Sequence, residues 1–233
     1  MVYNLYKHLL DILFSPTCRL CGIPAATDLC ADCNRDLPRL SRGCSRCARP
    51  LSSPNAPAWC GRCQRQPPHF DRTTALCRYH PPVDYLLKRL KFASDLGMGP
   101  LLAGLLSERL RQRSSALPGL LVPVPLHSAR LRERGYNQAL ELARPLSRAL
   151  GIPLDRDLCR RTRRTEAQSL LGTTARRLNM RNAFAVSGKP VAGHIAIVDD
   201  VMTTGYTAGE LARVLKRAGA SEIEVWVIAR AGG

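Results

Sequence analysis

Residues 194–210, HIAIVDDVMTTGYTAGE, constrain the fold more than any other stretch of the chain. Ile195, Ala196, Ile197 and Val198 form a short apolar run rich in β-branched residues, the pattern of a strand buried on both faces of a parallel sheet. Asp199 and Asp200 stand where that strand is expected to end. A small polar loop follows, made of Thr203, Thr204, Gly205, Tyr206 and Thr207. An amphipathic helix comes next, with Leu211, Val214, Leu215 and Ala218 at i, i+3, i+4 and i+7 and a stop at Gly219. Ligands of open α/β sheets sit beyond the carboxyl ends of the strands. Free N–H groups and the positive end of a helix dipole make this loop a phosphate cradle. Acids beside a phosphate cradle repel the phosphate, unless they hold vicinal sugar hydroxyls. The stretch therefore reads as a ribose 5-phosphate site. The plainer reading is a strand end and a capped helix, because Thr207 and Glu210 have capping-box spacing. A cap accounts for those two residues but not for the acid pair or the doubled threonine.

Over residues 195–207 the chain resembles the type I phosphoribosyltransferases, whose motif for phosphoribosyl diphosphate (PRPP) is an apolar strand, Asp-Asp, then Thr-Thr-Gly-x-Thr. The resemblance implies that Asp199 and Asp200 hold the ribose 2′ and 3′ hydroxyls. It implies that Thr203, Thr204, Gly205, Tyr206 and Thr207 wrap the 5′-phosphate of PRPP, or of a nucleotide bearing ribose 5-phosphate. Magnesium would enter with PRPP, bound mainly through the ligand's own oxygens. Tyr206 is bulkier than the small residue common at that place.

Cysteine supplies the second strong signal. Eight of the ten cysteines fall in Cys-x-x-Cys knuckles: Cys18/Cys21, Cys30/Cys33, Cys44/Cys47 and Cys60/Cys63. Disulfides are the alternative, but no export signal is evident and this spacing suits tetrahedral zinc. Pairing neighbouring knuckles closes the shortest loops. That places Cys18, Cys21, Cys30 and Cys33 on one structural zinc, and Cys44, Cys47, Cys60 and Cys63 on a second. A cross-braced pairing stays open. Cys77 and Cys159 read as buried small apolar residues.

The formal charge is +17, from 35 Lys and Arg against 18 Asp and Glu. Each zinc held by four thiolates carries −2, so two such centres leave a net of about +13. The excess points to an anionic partner, whether phosphate ligand, nucleic acid or membrane surface. Membrane insertion is not expected, because no stretch approaches a membrane span. Asp11 interrupts the apolar start, so residues 2–13 read as a short amphipathic helix (Leu5, Leu9, Ile12, Leu13) rather than a signal peptide, and a cytoplasmic protein is expected.

Residues 15–70 lack periodicity and could not fold without metal. Arg35, Arg39, Arg42, Arg46, Arg49, Arg62, Arg65 and Arg72 form a basic face there or merely solvate the module. Beyond it, residues 73–79 read as a strand. Val83, Leu86, Leu87 and Leu90 mark a helix, and Leu101, Leu102, Leu105, Leu106 and Leu110 mark another after a break at residues 97–100. Residues 120–125 are a further apolar strand. It leads to Arg130, Arg132 and Arg134, which could neutralise a diphosphate by paired hydrogen bonds. A helix then opens at Asn137 or Gln138, with Pro145 expected to kink or restart it. Residues 155–183 carry Arg156, Arg160, Arg161, Arg163, Arg164, Arg176, Arg177 and Arg181. They read as a mobile excursion that closes over a diphosphate or grips a nucleic-acid backbone. No GxxxxGK[ST] occurs, which excludes the P-loop class.

Together, VPVPL at 122–126, RGYNQ at 134–138, Thr165 with Gln168, Arg176 with Asn179, Ala183-Phe184 and the Asp-Asp motif are similar to the ComF family of bacterial proteins, as is the eight-cysteine start. The resemblance implies a mostly parallel α/β sheet flanked by helices, of the type I phosphoribosyltransferase kind. A short helix and double zinc ribbon would occupy residues 1–70 and the transferase-like domain residues 71–233. It also implies a link to natural competence and DNA-uptake proteins. Two functions then compete. One is a transferase that moves a phosphoribosyl group to an acceptor, with Asp199, Asp200 and Arg134 as catalytic residues. The other is a non-catalytic module that binds single-stranded DNA or responds to nucleotides.

Overall fold

The computed structural model describes residues 16–51, 53, 55–163, 182–188 and 191–232. Its centre is a four-stranded, all-parallel sheet of β1 (Arg72–Arg78), β2 (Leu120–Pro123), β5 (His194–Met202) and β6 (Glu222–Arg230), in the order β1-β6-β5-β2. Parallel strands need crossovers, and helices supply them. These are α3 (Val83–Phe92), α4 (Met98–Arg111), α5 (Ser128–Arg134), α6 (Gln138–Leu150) and α7 (Tyr206–Arg217). Two five-residue helices, α1 (Ala31–Arg35) and α2 (Gly61–Arg65), lie in the cysteine-rich start. A hairpin of β3 (Cys159–Arg161) and β4 (Phe184–Val186) stands apart from the sheet.

Alternation along the strands divides the core in two. Ile195, Ile197, Val225 and Val227 pack with Leu211, Ala212 and Leu215 of α7. Ala196, Val198, Trp226 and Ile228 pack with the leucine faces of α3, α4 and α6. The two cysteine clusters follow the same division. Cys18, Leu29 and Leu37 join the α3/α4 side, whereas Cys44, Cys47, Cys60, Cys63 and Phe70 join the α7 side. The chain between the clusters runs along the free edge of β1. Leu40 N donates to Leu76 O, Arg78 N to Pro38 O, and Arg39 bridges Cys77 in antiparallel fashion. That covers one sheet edge, and Leu154 bridging Leu121 covers the other.

Several elements depart from the sequence reading. β5 does not end at the acids; its ladder to β6 continues through Met202, because backbone pairing persists where the apolar pattern stops. Arg160 and Arg161 belong to β3, paired with Ala185 and Phe184, and are not part of a mobile excursion. Helix α6 runs unbroken through Pro145. A proline at 145 leaves the Glu141 carbonyl without its helical donor. That carbonyl is turned toward α4, where a Cβ on Gly99 would lie 2.7 Å from it. Glycine therefore lets the two helices meet. Leu5, Leu9, Ile12, Leu13, Arg164, Thr165, Gln168, Arg176, Arg177, Asn179 and Arg181 lie outside the described residues.

Candidate functional site

The carboxyl end of β5 presents the two acids differently. Asp199 lines a small cleft together with Val201, Met202, Thr203, Gly205, Thr207 and Ala208, with Val225 and Val227 of β6 also in its lining. Asp200 is buried and takes a 2.8 Å ion pair from Lys91 Nζ in the last turn of α3. Asp199 Oδ1 also accepts from the Asp200 backbone N–H at 2.9 Å. Burial, and then the Asp200 charge, push the Asp199 carboxyl well above the usual carboxylate range. Burial acts on Asp200 in the same sense, but the Lys91 ammonium outweighs it and the net shift is downward. One acid is thus held ionised while the other retains its proton more readily.

The loop that follows joins β5 to α7 through Gly205, which is left-handed at φ +80° and stands at the N-cap position without a side-chain cap. The capping-box alternative is not realised. Glu210 accepts instead from Asn182 N at 2.7 Å and from Arg213. Thr203, Gly205 and Thr207 line the cleft, and Tyr206 opens the helix beside it. The hydroxyl of Thr204 is buried without a hydrogen-bond partner among the described residues. A buried orphan hydroxyl is costly unless a ligand satisfies it.

The cysteines assemble in sequence order. The sulfurs of Cys18, Cys21, Cys30 and Cys33, and those of Cys44, Cys47, Cys60 and Cys63, lie within 4.8 Å of one another in each group. All ten cysteines are free of disulfides, and the pairing is not cross-braced. Cys21 and Cys30 sulfurs are 3.7 Å apart, as are those of Cys47 and Cys60. A tetrahedral zinc with Zn–S near 2.3 Å sets its sulfurs about 3.8 Å apart, so the geometry fits the ion. The thiols also show why a cation belongs there. Burial and then the Cys47 charge drive Cys63 upward, whereas at Cys60 burial is outweighed by backbone and thiol hydrogen bonds, which lower it to about 7. Four such sulfurs cannot all ionise without a metal. The two four-cysteine clusters are built as structural zinc sites.

Residues 9–64 match the double zinc ribbon domain family. Over 221 residues the chain is 37% identical to the DNA utilization protein YhgH of Salmonella typhimurium, spanning 91% of this chain and 96% of that protein. It is 36% identical to Competence protein F of Haemophilus influenzae over 214 residues, 89% of this chain and 92% of that one. The chain belongs to the ComF family. Among solved structures, purine phosphoribosyltransferase from Pyrococcus horikoshii matches this ComF-family chain at 21% identity and TM-score 0.33, over 56% of this chain and 80% of that one. Glutamine PRPP amidotransferase from B. subtilis, complexed with ADP and GMP, matches at 20% identity and TM-score 0.37. That match covers 55% of this chain and only 26% of the other.

In this ComF-family chain the predicted arginines divide by role. Arg134 donates to Gln138 Oε1 at 2.7 Å, its guanidinium lies over the exposed Phe92, and its charge acts on Lys91. Burial lowers the Arg161 guanidinium, with the Asp199 charge opposing that shift and Arg130 adding to it, so Arg161 feels the acid at the end of β5. Arg46 and Arg62 do not form a solvent face. Arg46 holds the Phe70 carbonyl and stacks on Trp59, and Arg62 reaches the Thr204 carbonyl. Lys91 was not among the expected site residues. It follows the buried Leu90 on an ordinary amphipathic helix, and no local spacing marks it.

Proposed function

We propose that this protein binds PRPP, or a nucleotide bearing ribose 5-phosphate, beyond the carboxyl ends of β5 and β6. In this reading Asp199 and Asp200 accept from the ribose hydroxyls, and Thr203, Thr204, Gly205, Tyr206 and Thr207 surround the 5′-phosphate at the start of α7. The observation that carries it is a cleft lined by Asp199, Thr203, Gly205 and Thr207, where the end of β5 runs into the N-terminus of α7. Magnesium would accompany the diphosphate, held mainly by the ligand's oxygens, and would screen the acids from it. The hard oxygen of Asp199 at the cleft suits that ion.

Transfer of the phosphoribosyl group to an acceptor is the chemistry such binding would serve. Negative charge develops on the departing diphosphate, and preorganised cations stabilise it. Lys91 is paired with Asp200, and the charge of Arg161 is felt at Asp199, so cations of this kind stand within electrostatic reach of the acids. The names of the relatives and the +17 charge favour a second, compatible reading, a place in DNA uptake with direct binding of single-stranded DNA. The same reading divides the chain at residues 70 and 71 into ribbon and transferase-like domain, and places it in the cytoplasm. No helix among the described residues is long and apolar enough to cross a membrane. Calorimetric titration with PRPP and magnesium tests the binding, and a single-stranded DNA titration tests the second reading.

A further inference from the structure

The second four-cysteine ribbon is joined to the 202–204 backbone by two arginines. Arg62 lies between the ligands Cys60 and Cys63 on α2. Its Nη1 donates to the Thr204 carbonyl at 3.0 Å, and its guanidinium stacks 5.0 Å from the centre of the Tyr206 ring. Arg230, buried at the end of β6, donates from Nε to the Cys47 carbonyl at 2.8 Å. From Nη1 it donates to the carbonyls of Met202, at 3.2 Å, and Thr203. Three successive carbonyls of the ligand-facing loop are therefore held from the ribbon side. Phe70, whose own carbonyl is held by Arg46 of the ribbon, would lie 3.7 Å from a Cβ at Gly205.

We propose that Arg62 and Arg230 are positioning residues which couple the second ribbon to the phosphate loop, so that zinc in the ribbon and a phosphate ester in the loop strengthen each other's binding. The inference rests on the loop being a phosphate site. Its physical basis is charge and rigidity. A buried guanidinium that meets only neutral carbonyls is poorly compensated. A filled centre of zinc and four thiolates supplies −2 beside Arg230. Filling the centre also fixes α2, and with α2 the Arg62 fork. The carbonyls of Met202, Thr203 and Thr204 are then pinned, and the loop with them. By linkage, a ligand that fixes the loop must tighten the ribbon equally.

The test uses the full chain loaded with zinc, ribose 5-phosphate as probe, and equilibrium competition with a chromogenic zinc chelator. Saturating ribose 5-phosphate should tighten one of the two zinc ions roughly five- to tenfold and leave the other unchanged. In Cys33→Ser, which disables the first ribbon, the remaining ion should still show the gain. In Arg62→Ala, both zinc ions should bind but the gain should fall clearly below that of the wild type, and calorimetry should show ribose 5-phosphate weakened by a matching factor. Zinc affinities indifferent to ribose 5-phosphate, when calorimetry shows that it binds the wild type, would overturn the coupling alone. A full gain in Arg62→Ala would overturn the role of Arg62. A wild-type protein with no calorimetric binding of ribose 5-phosphate would overturn the phosphate-loop reading, and this inference with it.

Discussion

Lys91 Nζ lies 2.8 Å from Asp200 Oδ2, so the last turn of α3 holds one of the two acids near the end of β5. The contact joins the layer built on α3 and α4 to the edge of the candidate ribose site. It makes the acids unequal, since Asp199 faces the cleft and Asp200 already has a partner.

Asp200→Asn should therefore affect stability as well as binding. Removing one partner leaves the partly buried ammonium without its countercharge, a loss of about 2 kcal/mol. The thermal midpoint should fall, and Lys91→Met in the same chain should recover most of the loss. A midpoint equal to wild type in Asp200→Asn would show that the ion pair does not hold α3 to β5.

The opposite end of the sheet carries a different buried charge. Glu224 is fully buried and takes two 2.6 Å bonds from Arg113 and one of 2.8 Å from Trp226 Nε1. Burial would raise its carboxyl, but Arg113 and Trp226 outweigh burial and the net shift is downward from 4.5. An acid depressed in the folded state contributes stability above its unfolded value, and that contribution is lost as pH falls through the folded value. Glu224→Gln should cost about 3 kcal/mol near neutral pH and flatten the loss of stability below pH 4.5. Chemical denaturation across pH measures this, and an acid limb unchanged from wild type would assign it to other groups.

The parts legible in the sequence are those whose signal is local. The strand, the acid pair and the loop of residues 195–207 lie in one run, and each four-cysteine cluster closes over a short stretch of chain. What escaped depends on distant contacts. Lys91 meets Asp200 across 109 residues of chain and Arg62 meets Thr204 across 142, with no periodicity to announce either. Pro145 suggested a break because local rules count the donor it lacks. The freed Glu141 carbonyl instead meets α4 where Gly99 has no side chain. β5 looked shorter than it is because charge at 199 and 200 ended the apolar pattern, whereas the hydrogen-bond ladder to β6 did not depend on it.

A direct role with nucleic acid would be electrostatic. Arg160 is exposed on β3, and aromatic residues are only 5% of the chain, so platforms for stacked bases are scarce. Fluorescence anisotropy should show single-stranded DNA bound at low salt, with little sequence preference and an affinity that falls steeply as salt rises. Arg160→Ala combined with Arg163→Ala should weaken it several-fold while leaving the thermal midpoint unchanged. No binding at low salt would restrict this chain to its small-molecule ligand.

The central claim is that the end of β5 and the start of α7 form a ribose-phosphate site. Calorimetric titration of PRPP with magnesium into wild type and Asp199→Asn, repeated at several pH values, tests it most directly. Asp199 binds sugar hydroxyls best as a carboxylate, and its proton is held above the ordinary value of 3.8. Affinity in the wild type should therefore rise with pH until that proton is lost. Asp199→Asn should bind about tenfold or more weakly, in line with about 1.5–3 kcal/mol for a hydrogen bond to a charged group. It should also lack the part of the pH dependence that belongs to the carboxyl. Equal affinity and equal pH dependence in the two proteins, or no binding by the wild type, would contradict the account.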